Sequence, residues 1–108
     1  MIVTTWNNGA HHASGAGYGL KVKAADRDAY FRRHWRTATI ELPNGVCPVL
    51  NIDKASFWSL SCRELISRDI GRRLLQTGLA PWPADKPPKL IMEPATGGRF
   101  RLAVGPGG

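Results

Sequence analysis

Thr37-Ala38-Thr39-Ile40-Glu41-Leu42-Pro43-Asn44-Gly45-Val46-Cys47-Pro48-Val49-Leu50-Asn51-Ile52 reads as a β-hairpin. Ala38, Ile40 and Leu42 share one face of an alternating run, Pro43-Asn44-Gly45 is a strong turn signal, and Val46 to Ile52 is the return strand. A hairpin makes antiparallel pairing the local rule, and the flanking segments extend it. Towards the C-terminus, Asp53-Lys54-Ala55 is a second turn, and Ser56-Phe57-Trp58 is a short apolar strand or the approach to a helix. Ser61-Cys62-Arg63-Glu64 matches a capping box, in which serine and glutamate satisfy each other's free backbone N–H groups. The helix it predicts runs to Thr77, with Leu65, Ile66, Ile70 and Leu74 as its apolar face and Gly78 as its left-handed stop. Gly71 weakens the middle of that helix and Arg73 projects into its apolar stripe. A break near Gly71 is favoured over an Asp69–Arg73 pair beside the core. Leu79 to Pro88 holds four prolines and Trp82, so it is a rigid, extended connection with the tryptophan plugging the core edge. Lys89 to Glu93 and Arg99 to Val104 form a last hairpin around Pro94–Gly98, and residues 105–108 are a flexible tail.

Towards the N-terminus, Arg32-Arg33-His34-Trp35-Arg36 is a basic cluster around one aromatic residue. Asp26 to Phe31 is a short helix capped by Asp26. In Tyr18 to Lys23, Tyr18, Leu20 and Val22 alternate with Gly19, Lys21 and Lys23, as in a half-buried strand with lysines outside. Ile2 to Thr5 is the first strand. Between these two strands lies Asn7-Asn8-Gly9-Ala10-His11-His12-Ala13-Ser14-Gly15-Ala16-Gly17, which has no large apolar side chain to bury and is therefore an exposed loop. The elements add up to a small, mainly antiparallel α+β pseudobarrel of about six or seven short strands with two helical segments. Residues 1–104 make a single domain.

The charge balance narrows the function. Among 108 residues, 15 are Lys or Arg and 8 are Asp or Glu, a formal net charge of +7. Such an excess on a small surface attracts polyanions over a distance. The acids are scattered and read as caps, turns and ion pairs, which argues against paired-carboxylate catalysis. Cys62 with His11 or His12 could in principle make a thiol nucleophile, helped by a place in the first turn of a helix. Its apolar neighbourhood argues instead for burial, and no catalysis is expected. Adjacent His11 and His12 lack zinc-ligand spacing, Cys47 and Cys62 form no C-x-x-C pair, and no P-loop is present, so neither metal nor cofactor is expected. The sequence shows no signal peptide and no apolar run long enough for a membrane span, which points to a cytoplasmic protein without membrane partners.

Nucleic acid fits the remaining features. Asn7, Asn8, His11, His12, Ser14 and Tyr18 carry donors and acceptors of the right reach for base edges. Lys21, Lys23, Arg32, Arg33, Arg36, Arg63, Arg68 and Arg72 offer phosphate contacts. A second reading is an interaction module or inhibitor of bacterial mobile elements, whose basic face would meet an acidic protein surface. A third, a small-ligand cleft lined by Trp6, Tyr18, Trp35, Trp58 and Trp82, explains the aromatics less simply than core packing does.

The order of elements resembles the DNA-binding pseudobarrel shared by plant B-three-type transcription factors and the recognition domains of some restriction endonucleases. The resemblance covers most of the chain and lies in topology rather than in a motif. It implies two arms that grip the major groove of duplex DNA. The first would be Asn7 to Gly17, and the second Asn51-Ile52-Asp53-Lys54-Ala55-Ser56. Asn7, Asn8, His11, His12, Lys54 and Ser56 would be the arm residues.

Overall fold

A computed structural model describes residues 1–103. Val104 and the expected tail at 105–108 lie outside the described residues. The elements run β1 (Ile2–Asn7), β2 (Tyr18–Lys21), α1 (Ala24–Tyr30), β3 (Thr37–Glu41), β4 (Val49–Asn51), β5 (Glu64–Ile66), α2 (Arg68–Gln76), β6 (Lys89–Pro94) and β7 (Arg99–Leu102). The seven strands form one sheet in the order β4-β3-β7-β6-β1-β2-β5. Every neighbouring pair is antiparallel except β3 and β7, which run parallel with Ile40 opposite Phe100. The edge strands β4 and β5 come into contact. The sheet therefore curls into a nearly closed barrel, and with its two helices the chain is the expected α+β pseudobarrel.

Alternation explains the curl. Val3 and Thr5 of β1, Tyr18 and Leu20 of β2, Ala38 and Ile40 of β3, Leu50 of β4, Leu65 of β5, Leu90 and Met92 of β6, and Phe100 and Leu102 of β7 are all buried. Their neighbours of opposite parity mostly face out, so one face of the whole sheet becomes the interior. Phe31, just past α1, stacks on Phe100 with centroids 4.5 Å apart and meets Phe57 edge-on at 5.1 Å. From α2, Ile70 and Leu74 are buried in the same core.

Four local expectations are corrected. The capping box at Ser61 starts no helix: residues 64–66 are β5, and α2 begins at Arg68 with Ser67 as N-cap, its Oγ accepting from Asp69 N at 3.2 Å. The reason is tertiary. Leu65 is needed beside Leu20 on the inner face of the barrel, and β2 has no other partner on that side. Local helix signals yield to such a pairing. Asp26 likewise sits in the first turn of α1 rather than at its cap, which is Lys23 without a side-chain bond. The hairpin's return strand is shorter than expected, Val49–Asn51, because Pro48 has no N–H for the ladder. The carbonyls of Val46 and Pro48 still accept from Leu42 N and Ile40 N.

Finally, α2 passes through Gly71 without a break. A side chain at Gly71 would overlap the backbone of Gly15, with its Cβ 2.7 Å from Gly15 Cα. The glycine marks the close approach of a loop to a helix, not a weak point. Asp69 pairs with Arg72 at 3.4 Å rather than with Arg73, whose Nε is buried with no hydrogen-bond partner among the described residues.

Candidate nucleic-acid interface

The loop between β1 and β2 is built by its own polar side chains. Asn7 Oδ1 accepts from Gly9 N at 2.7 Å and from His11 N at 3.0 Å, while Asn7 Nδ2 donates to Gly17 O at 3.3 Å. Asn8 Oδ1 accepts from Ala10 N at 3.1 Å. Ser14 Oγ lies 2.8 Å from His12 Nδ1 and accepts from Ala16 N at 3.3 Å. His12 Nδ1 also lies 3.2 Å from Ser14 N. These are Asx-type turns, in which a side chain stands in for a backbone carbonyl. They leave Asn7, Asn8 and Ser14 largely occupied within the loop.

The loop is also less exposed than its composition implies. Gly15 is buried against α2, where a Cβ would lie 2.8 Å from Arg72 N. His11 is half-buried at φ 46°, with Nδ1 2.8 Å from the Tyr18 hydroxyl. Its ring meets Tyr18 and Trp82 edge-on, at 5.4 Å and 4.9 Å between centroids. Tyr18 belongs to the core rather than to an outer face: it is wholly buried, and that burial pushes its phenol above its ordinary value. His12 is exposed, as are Gly9, Ala10 and Ala13.

The loop between β4 and β5 has a different builder. Arg27, from α1, is 6 % exposed, the most buried charge among the described residues. Its Nη1 donates to Phe57 O at 3.1 Å and to Ser59 O at 2.6 Å, while its Nε pairs with Asp28 at 3.0 Å. Its guanidinium also lies 5.5 Å from the centre of the Trp58 ring, with Arg33 at 5.3 Å from the same ring. Arg63, at φ 65°, donates from Nε to Val22 O at 2.8 Å and from Nη1 to Leu60 O. Lys54 is half-buried at the start of this loop and Ser56 is exposed.

The candidate residues therefore fall into two groups. Arg33, Lys54, Ser56 and Arg63 gather around the second loop, and Val22 binds Arg63 through both backbone groups, which brings Lys21 and Lys23 to its root. Asn7, Asn8, His11, His12 and Ser14 gather at the other end of the β2–β5 ladder, where Tyr18 O accepts from Ser67 N. Their cationic neighbours are Arg68 and Arg72 on α2. Arg32 and Arg36 are exposed on the connection from α1 to β3, and the Arg36 carbonyl accepts from Ile52 N and Asp53 N, next to Lys54. Sequence reasoning missed Arg27 and Trp58 as builders of the second loop, and missed the exposure of Leu60. No spacing signals a buried arginine, since its partners are backbone carbonyls about 30 residues away.

Cys62 is not in a helix, and its Sγ lies 3.9 Å from Ser61 Oγ. Among the described residues, no cluster of three or more His, Cys, Asp or Glu side chains converges on a metal-sized site, and no helix is long and apolar enough to cross a membrane. Trp35, Trp58 and Trp82 pack partly buried against the core. Comparison with known protein families, with curated proteins and with solved structures finds no match to the chain.

Proposed function

We propose that the protein binds nucleic acid, foremost double-stranded DNA, and does no chemistry of its own. The observation that carries this reading is the connection between α1 and β3. Arg32, Arg33, His34 and Arg36 are all exposed there, and none has a carboxylate within 4.0 Å among the described residues. The ion pairs of the described residues engage Arg27, Arg72 and Arg101 instead. Exposed cations left without acids on a chain of net charge +7 suit a phosphate backbone, whose condensed counterions they would release. Lys21, Lys23, Arg32, Arg33 and Arg63 would hold phosphates, with Lys54 and Ser56 beside them. His12, exposed at the tip of the first loop, would face bases, on a loop kept in shape by Asn7, Asn8 and Ser14. The likeness of the element order to the two-armed pseudobarrel supports duplex DNA over single strands.

The test is a titration of mixed-sequence duplex against salt. A grip of five cations predicts a log–log slope of about −4.5, so affinity falls roughly 500-fold between about 50 and 200 mM salt. Affinity indifferent to salt would sink the phosphate grip. The same cations would suit an acidic protein surface, and binding to a protein partner that survives nuclease treatment would favour that reading.

A further inference from the structure

We propose that Leu60, at the tip of the loop between β4 and β5, is an apolar finger that contacts the bases of duplex DNA. The inference rests on the DNA-binding reading above and adds a residue of a different chemistry to it. Leu60 is 87 % exposed, the most exposed of the large apolar side chains among the described residues. Isolated exposed leucines are common and need no explanation when the chain around them is free to move. Here the backbone on both sides is held. Arg27 binds the carbonyls of Phe57 and Ser59, and Ser59 Oγ bonds Ser56 O at 2.8 Å and receives Cys62 N at 3.0 Å. Arg63 takes the carbonyl of Leu60 itself while its Nε is tied to Val22 O. A side chain presented from so ordered a turn loses little further entropy when a partner covers it.

The surroundings indicate what that partner is. No acidic residue occurs from Lys54 to Arg63. Arg33 stands over Trp58 in the same loop, and Arg63 reaches the Leu60 carbonyl. The carboxylate of Asp28 is held by Arg27, and Asp53 and Glu64 flank the roots of the loop rather than its tip. A leucine rimmed by cations matches duplex DNA, where apolar thymine methyl groups and base faces lie between two rows of phosphates. An apolar protein groove would match the leucine but not the rim.

The experiment compares wild-type protein with Leu60→Ser and Leu60→Met on mixed-sequence duplex DNA rich in A·T steps. Leu60→Ser is expected to bind about ten-fold more weakly, from the loss of one buried apolar side chain at the contact. Its melting temperature and its salt slope should match the wild type, because neither core nor cations change. Leu60→Met keeps the apolar reach and should keep the affinity. Equal binding by Leu60→Ser and wild type overturns this inference alone, as does a weakened affinity accompanied by a shallower salt slope. Wild-type protein that binds no duplex at low salt overturns the DNA-binding reading as well.

Discussion

The two loops that leave the β2–β5 ladder reach order by opposite means. The loop from Asn8 to Gly17 is stiffened from within, by asparagine, histidine and serine side chains that bond to their own neighbours, and by Gly15 lying on α2. The loop from Ile52 to Arg63 is stiffened by long cations, Arg27 from α1 and Arg63 at its own end, which bond to its carbonyls. The difference decides what each loop has left for a ligand. Self-bonding consumes the polar atoms that made the first loop look like a reader of base edges. In the second loop Trp58, Ser59 and Arg63 are engaged with the backbone, while Lys54, Ser56 and Leu60 donate and accept no side-chain hydrogen bond among the described residues, and Leu60 is 87 % exposed. A polar, glycine-rich loop is therefore not by itself the more available one.

Three substitutions test that contrast. The largest effect is expected for Arg27→Ala, which strands two loop carbonyls and the packing on Trp58. It should cost about 3 kcal/mol in urea unfolding and loosen the second loop while the first keeps its hydrogen-exchange protection. Protection lost equally in both loops would show that they are not independent. Next is Gly71→Ala. In an ordinary helix it would stabilise by about 1 kcal/mol, but here the methyl group overlaps the Gly15 carbonyl, so a loss of about 2 kcal/mol is expected. A gain in stability would mean that the first loop does not rest on α2.

The smallest effect concerns Tyr18, whose buried phenol is neutral in the fold and has its pKa raised by desolvation. Because the folded value lies above the unfolded one, the contribution is present below the ordinary value of 10.0 and is lost as pH rises through the folded value. Tyr18→Phe should remove that share of the alkaline loss, and it should cost about 1 kcal/mol at neutral pH through the missing bond to His11. Identical alkaline profiles for the two proteins would contradict the burial argument.

The barrel was legible where burial alternates. Tyr18, Leu20 and Val22, like Ala38, Ile40 and Leu42, show the inward face without any knowledge of partners, and all six are buried. The start of α2 was not legible, because Ser61-x-x-Glu64 and Ser67 offer similar local signals. Only the need for Leu65 beside Leu20 decides between them. Gly71 looked like a defect for the same reason, since its justification lies 56 residues earlier in the chain, at Gly15. At the candidate interface the residue types were readable and their availability was not. Whether an asparagine faces a ligand or its own loop depends on turn geometry that residue type does not specify.

The parallel pairing of β3 with β7 has a kinetic consequence. Thr39 lies beside Arg99, and Met1 and Met92 exchange two backbone hydrogen bonds, so the middle of the sheet is joined by segments far apart in sequence, while the seam between β4 and β5 is local. Its strand order places β6 and β7 between β1 and β3. A nascent chain released only as far as the proline-rich connection has two sheet fragments, β1-β2-β5 and β3-β4, without the two strands that join them by hydrogen bonds. Closing such long loops precedes any gain from the contacts they bring, which slows folding and makes it arrive late, in a single step.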